Sequence, residues 1–356
     1  MTAERADGAD ILFERRGAAG LVTLNRPQAL NAVSLAMVRA LTQQLAQWES
    51  DPAITRVIVT ASGGRAFSAG GDLRALYDAG KAGRYDDALD YFREEYALNA
   101  RIKRYRKPYV ALIDGIVMGG GVGVSVHGSH RVAGDKFTFA MPEVSIGFFP
   151  DVGGTWFLPR LPGELGTYCA LTGERLNAAD GVEAGIATHR IASSRFADLV
   201  DALCGAVSVD AILGAFEQPA GGAAVVAHQA AIDRLFIGAE VEHILAVLDA
   251  EAGRNGAHAA FATATAALMR TKSPTSLKLV LEQMRRGATL DFAECMRTEF
   301  RIVSRVVRGH DFYEGIRALL IDKDQAPRWR PSALADVAAA DVERYFAPLA
   351  RELELP

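Results

Sequence analysis

The stretch Tyr109-Val-Ala-Leu-Ile-Asp-Gly-Ile-Val-Met-Gly-Gly-Gly-Val-Gly-Val-Ser-Val126 decides the fold. It is the longest apolar tract of the chain, but Asp114 interrupts it, and Gly115, Gly119, Gly120, Gly121 and Gly123 punctuate it. A membrane helix tolerates some glycine, but not this cluster beside an acid. The tract reads instead as a buried strand over Tyr109–Ile113, a tight turn, and a short apolar helix opening at Gly119–Gly123. Glycines at a helix start leave backbone N–H groups without intrahelical acceptors, and the positive end of the helix dipole lies behind them. Such a loop can donate to an anion; close helix–sheet packing would explain the same glycines.

Outward from this point the first half alternates strand and helix signals. Ile11–Arg15 and Leu21–Asn25 flank the turn Gly17–Gly20 and read as a hairpin. Ser34 caps a helix to about Glu49, with Leu35, Val38, Leu41, Leu45 and Trp48 at helical spacing. Arg56–Ala61 is a β-branched strand, Asp87 to about Arg106 a charged helix, and Arg131–Ala133 with Phe137–Ala140 a strand pair. This alternation implies an α/β core but does not separate a doubly wound sheet from a spiral of strand–strand–helix turns. After about Ile191 helical periodicity dominates. Pro274 sits in the tolerated first turn of a helix after Ser273, and Asp311 with Glu314 resembles a capping box for Phe312–Ile321. The expected organisation is a core over residues 1–205 carrying the site and a helical region over 206–356, packed on the core or on another subunit.

The 356 residues are 50% hydrophobic and 23% charged, so disorder throughout is excluded. The formal net charge of −4 provides no global basic field for nucleic acid or an anionic membrane, and neither partner is expected. Met1–Gly8 lacks the apolar stretch of a signal peptide. Cys169, Cys204 and Cys295 lie far apart, with no CxxC pair, which excludes a disulfide framework or zinc ribbon and makes the cytoplasm the expected compartment. There is no phosphate loop of the GxxxxGK type, no GxGxxG, no HExxH and no GxSxG. His127 and His130 form an HxxH pair without an evident third metal ligand, and a polar helix end entering a strand explains them better.

Three segments carry chemistry. Ala66-Phe-Ser-Ala-Gly-Gly-Asp-Leu73 offers a glycine turn whose N–H groups form a small anion nest. Asp114–Gly123 offers a second, and two such loops can pair their donors as an oxyanion hole. Phe139–Thr155 places Glu143 and Asp151 in an otherwise apolar, turn-rich stretch, where carboxylates are expensive unless paired, hydrogen-bonded or functional. A surface turn for Glu143 and helix capping for Asp151 are the structural alternatives. Asp151 precedes an expected helix start at Thr155, whose dipole favours its ionised form.

These segments in this order, with Leu24-Asn-Arg-Pro27 and Asn31-Ala32, resemble the crotonase superfamily of enoyl-CoA hydratases and relatives. Phe149-Pro-Asp-Val-Gly-Gly154, Ser273-Pro-Thr-Ser-Leu277 and Arg308-Gly-His-Asp-Phe-Tyr-Glu-Gly315 resemble one branch, the 3-hydroxyisobutyryl-CoA hydrolases. The resemblance implies an α/β spiral core of repeated strand–strand–helix turns with a helical C-terminal region. It implies an acyl-CoA substrate, no metal or redox cofactor, and self-association as trimers or hexamers. It assigns oxyanion donation to the N–H groups of Gly71 and Gly120. It lays Gly71-Asp72-Leu73-Arg74 beside CoA, Arg26 near the CoA phosphates, and Glu95, Glu143 and Asp151 on the acyl group. The chain departs from the hydratases at Gly123, where they carry the first of two catalytic glutamates; Asp151 stands where they usually have glycine.

The expected activity is hydrolysis of a short, branched 3-hydroxyacyl-CoA thioester, 3-hydroxyisobutyryl-CoA by resemblance, a step of valine catabolism. Glu143 serves as nucleophile or as general base on water; the sequence leaves both open. The rivals are an enoyl-CoA hydratase or isomerase using Glu143 with Asp151, and a non-catalytic acyl-CoA-binding protein.

Overall fold

The computed structural model describes residues 9–254 and 256–356; Met1–Gly8, read above for targeting signals, lies outside them. Among the described residues nine strands form two sheets. They are β1 (Ile11–Arg16), β2 (Ala19–Leu24), β3 (Arg56–Ala61), β4 (Ala66–Ser68), β5 (Tyr109–Ile113), β6 (Ile116–Met118), β7 (His130–Ala133), β8 (Thr138–Ala140) and β9 (His189–Arg190). The six-stranded sheet runs β1-β2-β3-β5-β7-β9 and the three-stranded sheet β4-β6-β8. Only the β1–β2 hairpin is antiparallel; every other strand pair is parallel.

The chain therefore advances as a spiral. From β3 to β8 each turn lays one strand in the large sheet and the next in the small one, and a helical segment returns it. This corrects one expectation. Arg131–Ala133 and Phe137–Ala140 do not pair with each other: β7 joins β5 and β9, and β8 joins β6. The strands β4, β6 and β8 are three residues long, too short to show period-2 alternation in sequence.

The large sheet is buried on both faces, as parallel strands with crossovers require. Alternate residues obey the pleat. Val57, Val59, Ala111 and Ile113 face the main core, while Ile58, Val110, Leu112 and Val132 face α8 (Phe196–Leu203) and α9 (Val209–Phe216) through Leu199, Leu203, Ile212 and Leu213.

Helix α4 (Gly120–Gly123) packs on β4 and β6 of the small sheet, while α1 (Leu35–Ser50) packs on β1 and on α3 (Tyr85–Lys103), and α2 (Leu73–Lys81) packs on α3. Ser34 caps α1 through the Met37 amide, and Val38, Leu41, Leu45 and Trp48 are buried. The short helices α5 (Gly154–Phe157), α6 (Leu165–Thr172) and α7 (Ala178–Glu183) precede β9. Beyond α9 come α10 (Gln229–Leu235), α11 (Val241–Ala252), α12 (Ala259–Met269), α13 (Pro274–Gly287), α14 (Phe292–Val306), α15 (His310–Ile316) and α16 (Ala339–Phe346). Leu277, Leu281, Phe300, Val303 and Phe346 of these helices belong to the same buried cluster as Leu41, Val59 and Tyr96. No helix among the described residues is long and apolar enough to cross a membrane.

Ser273 caps α13 as expected, donating its own hydroxyl to Asp311 (2.7 Å). The expected capping box at Asp311 does not form. Helix α15 starts two residues earlier, after Gly309, with no side-chain cap, and Asp311 is taken by Ser273 and the Arg330 amide.

Asn31 ties the first loop to the second. Its Nδ2 donates to the carbonyls of Ser62 and Ala66 (2.9 Å each), and its Oδ1 accepts from the Arg26 amide (2.8 Å). It is buried at φ +55°, a conformation asparagine tolerates better than most residues. Asn31→Ala strands these buried partners and should lower stability by roughly 2–4 kcal/mol, read from the denaturant midpoint. A loss within experimental error would remove Asn31 from this role.

Candidate active site

The two glycine loops meet. Gly70 and Gly119 adopt φ +126° and φ +45°, backbone conformations open to glycine and strained for other residues. Each precedes a residue whose amide is left free. Val33 forms a parallel bridge with Gly71 by bonding Gly70 O and the Asp72 amide, which turns the Gly71 amide to the other side. The Gly120 amide is first in α4 and has no acceptor within it. A Cβ built on Gly120 would lie 3.2 Å from the Gly71 nitrogen, so the two donors stand side by side.

Both loops open into a cleft of about 380 Å³. Gly71, Leu73, Glu95, Gly120, Glu143 and Asp151, all expected at the site, line it. Phe92, Ile146, Phe148, Phe312 and Leu319 add an apolar wall. Arg26, Asp72 and Arg74 do not line it. Arg26 is held by Asp72 (3.1 Å), Asp10 (3.2 Å) and the Ala32 carbonyl (2.9 Å). Asp72 caps α2 at the Ala75 amide, and Arg74 pairs with Asp78 on the helix surface.

The carboxyls are buried, which rejects the surface-turn alternative for Glu143. Glu95, Glu143 and Asp151 are 2%, 6% and 5% exposed. Burial, reinforced by Asp151, holds Glu143 well above the usual carboxylate range, and its Oε2 has no hydrogen-bond partner. Burial pushes Asp151 up to about 7, opposed by the Tyr96 hydroxyl that donates to its Oδ2 (3.0 Å). Burial, then Asp151, raises Glu95 as well. The Tyr91 hydroxyl lies 3.1 Å from Val33 O and donates to Glu95 Oε1 (3.0 Å), which favours the charged form of Glu95 and opposes that rise.

The expectation that a helix dipole keeps Asp151 ionised is therefore corrected. The helix that follows, α5, is one turn long, and its free amides are taken by another acid. Glu299 on α14 accepts from Gly153 N and Thr155 N, both at 2.9 Å. Burial outweighs any dipole at Asp151.

Gly123 has no room for a side chain. A Cβ there would come within 2.7 Å of Asn99 Nδ2 and 2.9 Å of Val152 Cβ. His127 and His130 diverge: His127 Nε2 donates to Val152 O (2.7 Å), while His130 pairs with Asp210 (2.9 Å).

Sequence reading passed over Tyr91, Tyr96, Asn99, Gln283 and Glu299. A signal existed for Glu299. In α14 it falls on the buried stripe with Cys295, Met296, Phe300 and Val303, a lone carboxylate on an apolar face. Tyr91, Glu95 and Asn99 likewise share one face of α3 at i, i+4 spacing, all buried.

Residues 19–346 match the enoyl-CoA hydratase/isomerase family. The chain is 47% identical to the 3-hydroxyisobutyryl-CoA hydrolase, mitochondrial, of Danio rerio over 98% of this chain and 92% of that one. It is 43% identical to the Homo sapiens protein of that name over 96% and 89%. Among solved structures, a carnitinyl-CoA dehydratase from Mycobacterium thermoresistibile superposes with a TM-score of 0.91 at 42% identity, covering 97% of this chain and 98% of that one. An enoyl-CoA hydratase from Rhodobacter sphaeroides 2.4.1 gives 0.90 at 37%, covering 98% and 100%. The mitochondrial names of the relatives overturn the cytoplasmic expectation; unpaired cysteines exclude an oxidising compartment at most and do not choose among reducing ones. With the spiral sheet and the paired glycine amides in place, the match over most of its length makes this chain a member of the enoyl-CoA hydratase/isomerase family.

Proposed function

We propose that the chain is a thioester hydrolase that splits 3-hydroxyisobutyryl-CoA into the free acid and CoA. The observation that carries this reading is the filled space at Gly123. A two-glutamate hydratase needs an acid on each side of the water it adds, and here Asn99 and Val152 occupy the first position. Glu143 and Asp151 still share the cleft with the paired amides of Gly71 and Gly120. The hydrolase names of the relatives support it; the dehydratase and hydratase titles of the solved structures name other chemistry on the same fold.

In this reading the thioester oxygen lies against the Gly71 and Gly120 amides, which stabilise the charge that develops on it, a contribution of about 3–4 kcal/mol per donor in comparable sites. Glu143 either attacks the carbonyl carbon or takes a proton from the attacking water. In the first case the C–S bond breaks, CoA leaves as thiolate and takes a proton, and water opens the resulting anhydride. In the second the tetrahedral intermediate expels the thiolate directly. Glu95 borders Gly120, and burial holds its carboxyl well above the usual carboxylate range, which disfavours a charge beside the oxyanion. Asp151 accepts a hydrogen bond from the substrate hydroxyl. The reaction draws only on the chain's own groups and water.

Incubation with 3-hydroxyisobutyryl-CoA and a thiol reagent should release CoASH; hydration of crotonyl-CoA without thiol release would reverse the assignment. Glu143→Gln should reduce thioester turnover at least about a hundredfold with a much smaller change in KM. Glu143 must lose its proton to act, and its carboxyl is held above the usual range. Activity should therefore grow as pH rises through a limb above the ordinary glutamate value of about 4.3, and fall away below it. A limb at the ordinary value would show that Glu143 is not the titrating group.

Gly123→Glu tests the crowding. It should lower the melting temperature and yield no crotonyl-CoA hydration, measured by loss of enoyl absorbance. A stable variant that hydrates crotonyl-CoA would show that the space can open.

Asp151→Ala should reduce kcat/KM for 3-hydroxyisobutyryl-CoA more than for isobutyryl-CoA. The ratio of the two should shrink by about tenfold or more, the equivalent of one hydroxyl–carboxyl hydrogen bond. Equal losses would take Asp151 out of hydroxyl recognition.

A further inference from the structure

The turn that carries Asp151 is held against its own preference. Val152 is β-branched, fully buried, and sits at φ +49°, where such residues are rare. Strain of this kind persists only where the surroundings over-determine it, and it clusters at functional sites. Here the surroundings are three buried polar side chains from separate elements. Glu299 on α14 accepts from the Gly153 and Thr155 amides, each at 2.9 Å. Gln283 on α13 donates from Nε2 to Pro150 O (2.6 Å) and to Thr155 Oγ1 (2.7 Å). His127, just beyond α4, donates from Nε2 to Val152 O (2.7 Å).

The grips bracket Asp151, at residues 150, 152, 153 and 155. Of residues 150–155 only Asp151 lines the cleft, and none of the three gripping side chains does. Glu299 and Gln283 are both 0% exposed and His127 is 6% exposed. The turn is buried throughout, and satisfying two of its amides with a buried carboxylate that has no cation partner is an expensive arrangement if the turn only links two segments. It is the arrangement expected where one side chain must be held in a fixed direction.

We propose that Glu299, Gln283 and His127 are positioning residues that lock the strained Val152 turn and thereby aim the Asp151 carboxyl into the cleft, a role that rests on the hydrolase reading above. The aiming comes from the helical C-terminal region, through α13 and α14, onto a turn of the spiral core.

The test is a double-mutant cycle on the full chain. Glu299→Gln replaces one accepting oxygen by an amide that faces an N–H, so one grip becomes repulsive. It should lower kcat/KM for 3-hydroxyisobutyryl-CoA by roughly 10- to 100-fold, the scale of a misplaced catalytic geometry, mainly through kcat. It should also shrink the preference over isobutyryl-CoA in the same direction as Asp151→Ala. In the Asp151→Ala background the same substitution should change kcat/KM by less than about twofold, because both act through one carboxyl. A folded Glu299→Gln protein with wild-type kcat, or losses that multiply in the double variant, would overturn the proposal. If Glu299→Gln does not fold, Gln283→Met, which removes two hydrogen bonds at similar volume, is read by the same cycle. Should the wild type release no CoASH, the hydrolase reading fails by itself. The positioning role is then judged by affinity for non-cleavable thioether analogues with and without the hydroxyl: a preference lost equally in Glu299→Gln and Asp151→Ala supports it, and a preference untouched by Glu299→Gln overturns it.

Discussion

Everything at the site follows from burying four carboxyls in one region with no cation hydrogen-bonded to them. Glu95, Glu143, Asp151 and Glu299 are all nearly inaccessible; Glu95, Asp151 and Glu299 accept from tyrosine hydroxyls or backbone amides, and Glu143 Oε2 has no partner among the described residues. With no lysine or arginine among those partners, burial and mutual repulsion decide where the protons sit. Burial is the largest influence on each, and Asp151 raises Glu95, Glu143 and Glu299 in turn. Glu299 is pushed up to about 8, less far than burial alone would take it, because two amides favour its charged form. The carboxyls of the cluster therefore keep their protons to higher pH than the same acids on a surface would. Protonated and ionised carboxyls can then differ in role within a few ångströms, one donating and another accepting.

The glycine loops solve a second constraint with the same economy. A thioester oxygen can be met by two amides only if both leave their sheets pointing the same way. Positive φ at Gly70 and Gly119 turns the chain there, and the Val33 bridge fixes the first loop while the start of α4 fixes the second. Side chains would close the gap. A Cβ on Gly120 would strike Glu95 Oε1 at 2.7 Å, and one on Gly71 would strike the Tyr91 hydroxyl at 2.6 Å. The donors, the tyrosine and the acid are thus packed so closely that the absence of side chains is part of the geometry.

Much of this was legible in the sequence, and what was not has identifiable causes. The long helices and the strands β3 and β5 announce themselves because their periodic or β-branched runs extend over five residues or more. The strands of the small sheet are too short for any period, so the spiral could be named only by resemblance. The site acids Glu143 and Asp151 stand out as charges in an apolar stretch. Tyr96 and Gln283 do not, since a tyrosine or glutamine on a helix is unremarkable until tertiary packing brings it to a carboxyl or a carbonyl more than fifty residues away. Asp151 shows the error that local reasoning makes. An expected helix start four residues on suggested an ionised, dipole-stabilised acid, but amides at that start belong to Glu299, 144 to 146 residues further along the chain.

The same distinction bears on how activities diverge within one fold. Solved relatives at 37–42% identity superpose over nearly the whole chain and carry dehydratase and hydratase titles, while sequence relatives at similar identity carry a hydrolase name. In the proposed reading the backbone frame and its two amides would serve any reaction that builds charge on a thioester oxygen. What separates water addition to a double bond from thioester cleavage is which acids reach the carbon chain and from which side. In this chain Val152, bent out of its preferred conformation, fills the space beside Gly123 that a second glutamate would need. The same bend presents Asp151, its neighbour, to the cleft. One strained residue thereby closes the space beside Gly123 and turns a neighbouring carboxyl into the cleft, so in the proposed hydrolase reading both departures from the two-glutamate arrangement have a single structural cause.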